Sequence, residues 1–208
     1  MNNNIRTKAN VCMKLLALII VLTIANTAWA TVNLEPNCVL QLKMNDNVAS
    51  TVVIDSRGFS NGTAQQNTSI LHTAGKIGGA LSFNGTIDYV DSGNTFQSVF
   101  QNSFSISMYV KPNAGLPSSV QDLFGTTEGD RGNIWLDFSD YEVRVAYSTY
   151  FPFEPLVIEP FWNNGIQDWT LLIATFENIN NTSVIIKLYV NGVLSGTKET
   201  IDNMSELN

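Results

Sequence analysis

The sequence is short of the residues that most enzyme and metal chemistry uses. It has one histidine, His72, and two cysteines, Cys12 and Cys38, in 208 residues. A metal cluster built on cysteines is excluded by count, and a cysteine nucleophile would have only His72 to activate it. Charged residues make up only 14% of the chain, the reverse of a disordered composition. Basic residues are scarcest: 11 Lys and Arg stand against 18 Asp and Glu, a net charge of −7. Such a surface repels phosphate backbones and anionic membranes, which excludes nucleic acid as a partner. No apolar run reaches the roughly 20 residues needed to span a bilayer.

What is present begins with a leader. Arg6, Lys8 and Lys14 accompany an apolar run from Leu15 to Ala25 that only Thr23 interrupts. Ala28-Trp29-Ala30 follows, with small residues where a signal peptidase reads them. Positive charge, apolar stretch and cleavage site in that order predict a signal peptide over residues 1–30. A short N-terminal segment, 31–37, and one domain, 38–208, complete the expected organisation. The mature chain is then secreted or held at the cell surface, with no membrane insertion of its own. The leader carries no acidic residue, so the remaining domain is more acidic still. Loss of Cys12 with the leader also rules out an intrachain disulfide, and Cys38 reads as a small core residue.

Strand patterning dominates the mature region. Val39–Met44, Phe104–Val110, Ile134–Phe138, Tyr141–Tyr147 and Val184–Val190 alternate apolar and polar positions, so each predicts a strand with one core face and one wetter face. Leu171–Phe176 is apolar on both faces and predicts a central strand. Asn191-Gly192 joins two alternating runs, the strongest hairpin signal in the chain. Many short strands, frequent turn residues and no helical periodicity predict an all-β, two-sheet antiparallel β-sandwich. A long aromatic and proline-rich loop is expected from Tyr150 to Asp168.

Gly75-Lys76-Ile77-Gly78-Gly79-Ala80-Leu81-Ser82-Phe83-Asn84-Gly85, followed by Asp88-Tyr89-Val90, resembles the hallmark of bacterial laminin G-like modules. These belong to the concanavalin A-like lectin/glucanase superfamily. Asp55-Ser56-Arg57-Gly58, the segment Ser103–Pro112, and Trp169–Phe176 leading to Leu188–Gly192 stand in the family's order. The resemblance implies a concanavalin A-like jelly roll and a carbohydrate-binding or adhesive role, and it permits calcium. Two departures stand out. Tyr109 occupies a position where the family often has Trp, and the family's closing strand pair does not appear before Asn208. The resemblance therefore implies a domain lacking its C-terminal strands.

The superfamily's glucanases set the enzymatic alternative. Many carry E-x-D-x-x-E, and retaining hydrolysis needs two carboxylates about 5 Å apart. The nearest stretch here, Trp135-Leu136-Asp137-Phe138-Ser139-Asp140, has Trp in the first carboxylate position. Asp137 and Asp140 read as solvated strand-edge acids on opposite faces. The expectation is a non-catalytic module, with a diverged glycoside hydrolase as the remote alternative. For binding, Tyr109 and Trp135 point away from their strands' core faces, and Trp162 lies in the long loop. They suit one aromatic platform for sugar rings, or they cover core edges. Glu128, Asp130 and Asn133 offer oxygens for calcium in a tight turn, or form a solvated acidic turn. The expected partner is a glycan or a cell-surface or extracellular protein.

Overall fold

A computed structural model describes residues 35–112, 120–126, 134–139, 142–147, 155–158 and 168–206. The elements run β1 (Val52–Val53), β2 (Gly62–Ala64), α1 (Thr68–Leu71), β3 (His72–Ala74), β4 (Gly79–Leu81), β5 (Val90–Asp91), α2 (Gln97–Phe100) and β6 (Phe104–Val110). They continue with β7 (Gln121–Gly125), β8 (Ile134–Ser139), β9 (Glu142–Tyr147), β10 (Leu156–Ile158), β11 (Thr170–Ile179), β12 (Ser183–Val190) and β13 (Val193–Thr200). Single 3-10 turns occupy Glu35–Asn37 and Met204–Glu206.

Two four-stranded antiparallel sheets form the sandwich, in the orders β7-β8-β9-β10 and β6-β11-β12-β13. Alternation explains the packing. Ile134, Leu136, Phe138, Val143, Val145 and Tyr147 from the first sheet meet Leu172, Ala174, Phe176, Val184, Ile186 and Leu188 from the second in one core. Phe104 stacks on Phe176 with ring centroids 4.4 Å apart, and Phe100 on α2 meets Phe104 edge-on at 5.0 Å. Met204 joins the same core. Each such large side chain contributes roughly 1.5–3 kcal/mol on burial. β11 lies between β6 and β12, the central place its two-sided apolar sequence requires. At the β12–β13 hairpin Asn191 and Gly192 both take positive φ, 50° and 83°, the conformation a two-residue turn of matching twist demands.

A smaller core of Val53, Ala64, Leu71 and Leu81, with Leu42, Met44 and Val90 against it, holds the short sheets β1-β2-β5 and β3-β4. Asp55 anchors this region. Its buried carboxylate accepts the N–H groups of Gln41 and Arg57 on Oδ1 and of Phe59 and Ser60 on Oδ2, at 2.9–3.1 Å. Burial alone would raise its pKa, but four backbone donors together outweigh that and bring it down to about 2.

Three expectations are corrected. Val39–Met44 forms no ladder: Leu42 makes a single antiparallel bridge to Asp55. The Gln41 N–H is taken by the Asp55 carboxylate, and Met44 turns to φ 56°. Two four-residue helices occur, too short to leave a helical period in the sequence. β8 is buried at all six positions rather than on one face.

Candidate functional site

Within the Gly75–Val90 signature, the glycines Gly75 and Gly79 and the polar side chains of Asn84 and Asp88 have architectural contacts. Gly75–Gly78 closes the β3–β4 hairpin, with Gly75 N–H donating to Gly78 O at 2.9 Å. A Cβ on Gly75 would stand 2.6 Å from the Gly79 carbonyl carbon, and one on Gly79 would stand 2.7 Å from His72 Nε2. His72 is thus packed against the motif's backbone. Asn84 Oδ1 accepts the N–H groups of Thr86 and Ile87 at 2.9 and 3.0 Å. Asp88 accepts from Asn84 N and Gln66 Nε2 at 3.1 and 2.6 Å. These side chains spend their polar atoms on shaping one loop.

Chemistry-bearing residues concentrate on the two outer faces of the sandwich. On the β7–β10 sheet, Trp135 and Asp137 of β8 share a face with Arg144 of β9, since Asp137 is directly opposite Arg144. Arg144 donates from Nε to Asp137 Oδ1 at 2.9 Å and from an Nη to Oδ2 at 2.7 Å. Its guanidinium carbon also lies 5.4 Å from the centroid of the Trp135 ring, within cation–π range. The Asp137 side chain is 0% exposed, so it is a buried ion-pair partner and not the solvated strand-edge acid its sequence position suggests. Trp135 is only 2% exposed. Among the described residues no cluster of three or more His, Cys, Asp or Glu side chains could hold a metal ion.

The β6-β11-β12-β13 sheet presents a different outer face. Core-facing Phe104, Ile106, Met108 and Val110 leave Ser105, Ser107 and Tyr109 outward on β6. Register places Tyr109 opposite Leu171, Ser107 opposite Ile173, and Ile173 opposite Tyr189, which pairs in turn with Leu194. Tyr109 is 44% exposed, Leu194 is exposed, and Leu171, Ile173 and Tyr189 are half-buried. Ser105, Thr175, Lys187 and Thr197 form the next row, with Lys187 Nζ 3.3 Å from Glu177 Oε2 beyond it.

Tyr109 and Trp135 therefore belong to different sheets, Tyr109 exposed and Trp135 buried rather than presented to a ligand, and the structure does not bring them together. Trp162, Glu128, Asp130 and Asn133 lie outside the described residues. Two residues went unrecognised as site members in the sequence: Arg144 as the partner of Asp137, and Tyr189 as the companion of Tyr109. Alternation already put both on wetter faces, but only strand register names their neighbours. No helix among the described residues is long and apolar enough to cross a membrane. No protein-family model matches the chain, and no curated protein or solved structure matches it.

Proposed function

We propose that the chain is an exported, non-catalytic binding module of the laminin G-like type that takes carbohydrate on the outer face of the β6-β11-β12-β13 sheet. One observation carries this reading: Tyr109 and Tyr189 stand on the same outward face of a continuous ladder, beside the hydroxyls of Ser105, Ser107 and Thr175. Sugar rings stack their apolar faces on aromatics while their hydroxyls take polar partners, and a strand ladder positions such groups more firmly than a loop does. The non-catalytic part of the reading is supported at β8. Trp135 stands where a glucanase would need its first carboxylate, and both Asp137 oxygens are held by Arg144. Calcium at Glu128, Asp130 and Asn133 stays within the proposal as an accessory to binding, tested by repeating the assay in EDTA.

Affinity electrophoresis of the mature chain through gels containing neutral polysaccharides tests it. At least one polysaccharide should retard the wild-type protein, with retardation reduced ten-fold or more by Tyr109→Ala. Retardation by none of a broad panel overturns the reading. Leu194, exposed at the β13 edge of this face, favours a second reading, adhesion to a protein partner, in which Leu194→Asp and not Tyr109→Ala abolishes capture.

A further inference from the structure

Resting on that reading, we infer that the ligand is a neutral, unbranched glycan of at least three rings, lying diagonally across β6, β11 and β12. The register fixes the geometry. Tyr109 belongs to the row of Leu171 and Tyr189 to the row of Ile173, one strand away on either side of β11. Two strand spacings across and two residues along give a separation of about 12 Å between their anchor points. A single pyranose ring cannot cover both. Between the tyrosines lie Leu171 and Ile173, half-buried and aliphatic, a low bridge that a middle ring can rest on. One ring on each tyrosine and one over this bridge make three contact zones in a line.

Charge selects the class. The two rows holding the tyrosines consist of Tyr109, Ser107, Leu171, Ile173, Tyr189 and Leu194, with no charged residue among them. Two cations flank these rows: Lys187, beside Thr175, is already matched by Glu177 at 3.3 Å, and Lys111 lies two residues beyond Tyr109, past the end of the diagonal away from Tyr189. A chain of net charge −7 adds a repulsive background for anionic sugars. Ser107 beside Ile173 and Ser105 beside Thr175 supply hydroxyls along one flank of the diagonal, so a ring's equatorial groups meet donors and acceptors without meeting charge.

Isothermal titration of the mature chain with linear oligosaccharides of glucose, xylose, mannose and N-acetylglucosamine, each from one ring to six, tests the inference. An acidic galacturonic series runs alongside. In a series that binds, affinity should rise at least ten-fold between two and three rings and then level off. Tyr189→Ala should reduce the three-ring affinity at least ten-fold, and an unchanged melting temperature confirms that the variant is folded. Equal affinity for one ring and six, an unaffected Tyr189→Ala variant, or tighter binding of the acidic series overturns this inference while leaving carbohydrate binding standing. Binding to none of the series overturns the underlying reading along with it.

Discussion

Across the β8–β9 ladder, Asp137 gives both carboxylate oxygens to one guanidinium, that of Arg144, at 2.9 and 2.7 Å. The acid is fully buried and the arginine side chain 18% exposed. Arg144 therefore serves two neighbours on one face, neutralising Asp137 and covering the Trp135 ring. A pair in this setting resists removal of either partner more than removal of both, because a lone buried charge has nothing to replace the water it lost.

Arg144→Met is accordingly expected to lower stability by about 3–5 kcal/mol. The double variant Asp137→Leu, Arg144→Met should lose distinctly less. Urea denaturation of the wild type, both single variants and the double variant gives the coupling directly. A double variant as unstable as the two singles added together would show that the pair carries no coupling.

Asp55 predicts an acid limb to the stability profile. Its folded pKa of about 2 lies below the usual 3.8, so the folded state binds its proton more weakly than the unfolded state does. The associated stabilisation is full above about pH 4 and disappears as pH falls through about 2, amounting to about 2 kcal/mol. Denaturation at pH 7, 4, 3 and 2 should show this loss in the wild type. In Asp55→Asn the fall over the same range should be smaller, from a lower starting point.

The glycines separate by mechanism. Gly58 has φ +77° with open space around it, whereas Gly75 has the Gly79 backbone against the place a Cβ would occupy. Gly58→Ala meets only the left-handed penalty of roughly 1–2 kcal/mol. Gly75→Ala must move backbone and should cost more, about 3 kcal/mol. Thermal melts of the two variants rank them, and a Gly75→Ala protein as stable as Gly58→Ala would contradict the close approach in the hairpin.

Tyr147 presents a hydroxyl that no hydrogen bond satisfies among the described residues. Burial first, and then the negative charge of Asp202, push its pKa well above the ordinary value of 10.0. Tyr147→Phe removes an unsatisfied polar atom and keeps the ring among Phe104 and Phe176, so it should leave stability unchanged or raise it by up to about 1 kcal/mol. A drop of 2 kcal/mol or more in a urea titration would reveal a partner for the hydroxyl.

The strands that were legible in the sequence are those with one face in the main core: Phe104–Val110, Val184–Val190 and the Asn191-Gly192 hairpin partner all appear where alternation puts them. Alternation reports which side chains bury, but it is silent on where an N–H goes. Val39–Met44 alternates in exposure while Gln41 hydrogen-bonds a carboxylate instead of a neighbouring strand. Asp137 looks wet until Arg144 is known to be opposite, and that depends on hairpin register. The separation of Tyr109 from Trp135 was not legible for a related reason. In a sandwich the direction away from the core exists twice, once on each sheet, and Tyr109 and Trp135 belong to different sheets through pairings distant in sequence. Tyr189 becomes a companion of Tyr109 only because β11 lies between β6 and β12.

That same placement of β11 has a kinetic side. β12 and β13 join β11 through short local hairpins, whereas β6 reaches it only across a segment that contains all of β7 to β10. Closing so long a loop costs chain entropy before any contact returns it, and non-local pairings of this kind form slowly. β6 is thus expected to dock late, after the β11–β12–β13 meander has formed. The strand that arrives late is the one bearing Tyr109. On the proposed carbohydrate-binding reading, a newly made chain would hold Tyr189 in position before Tyr109 joins it, and ligand affinity in a refolding experiment should recover only with the slowest folding phase.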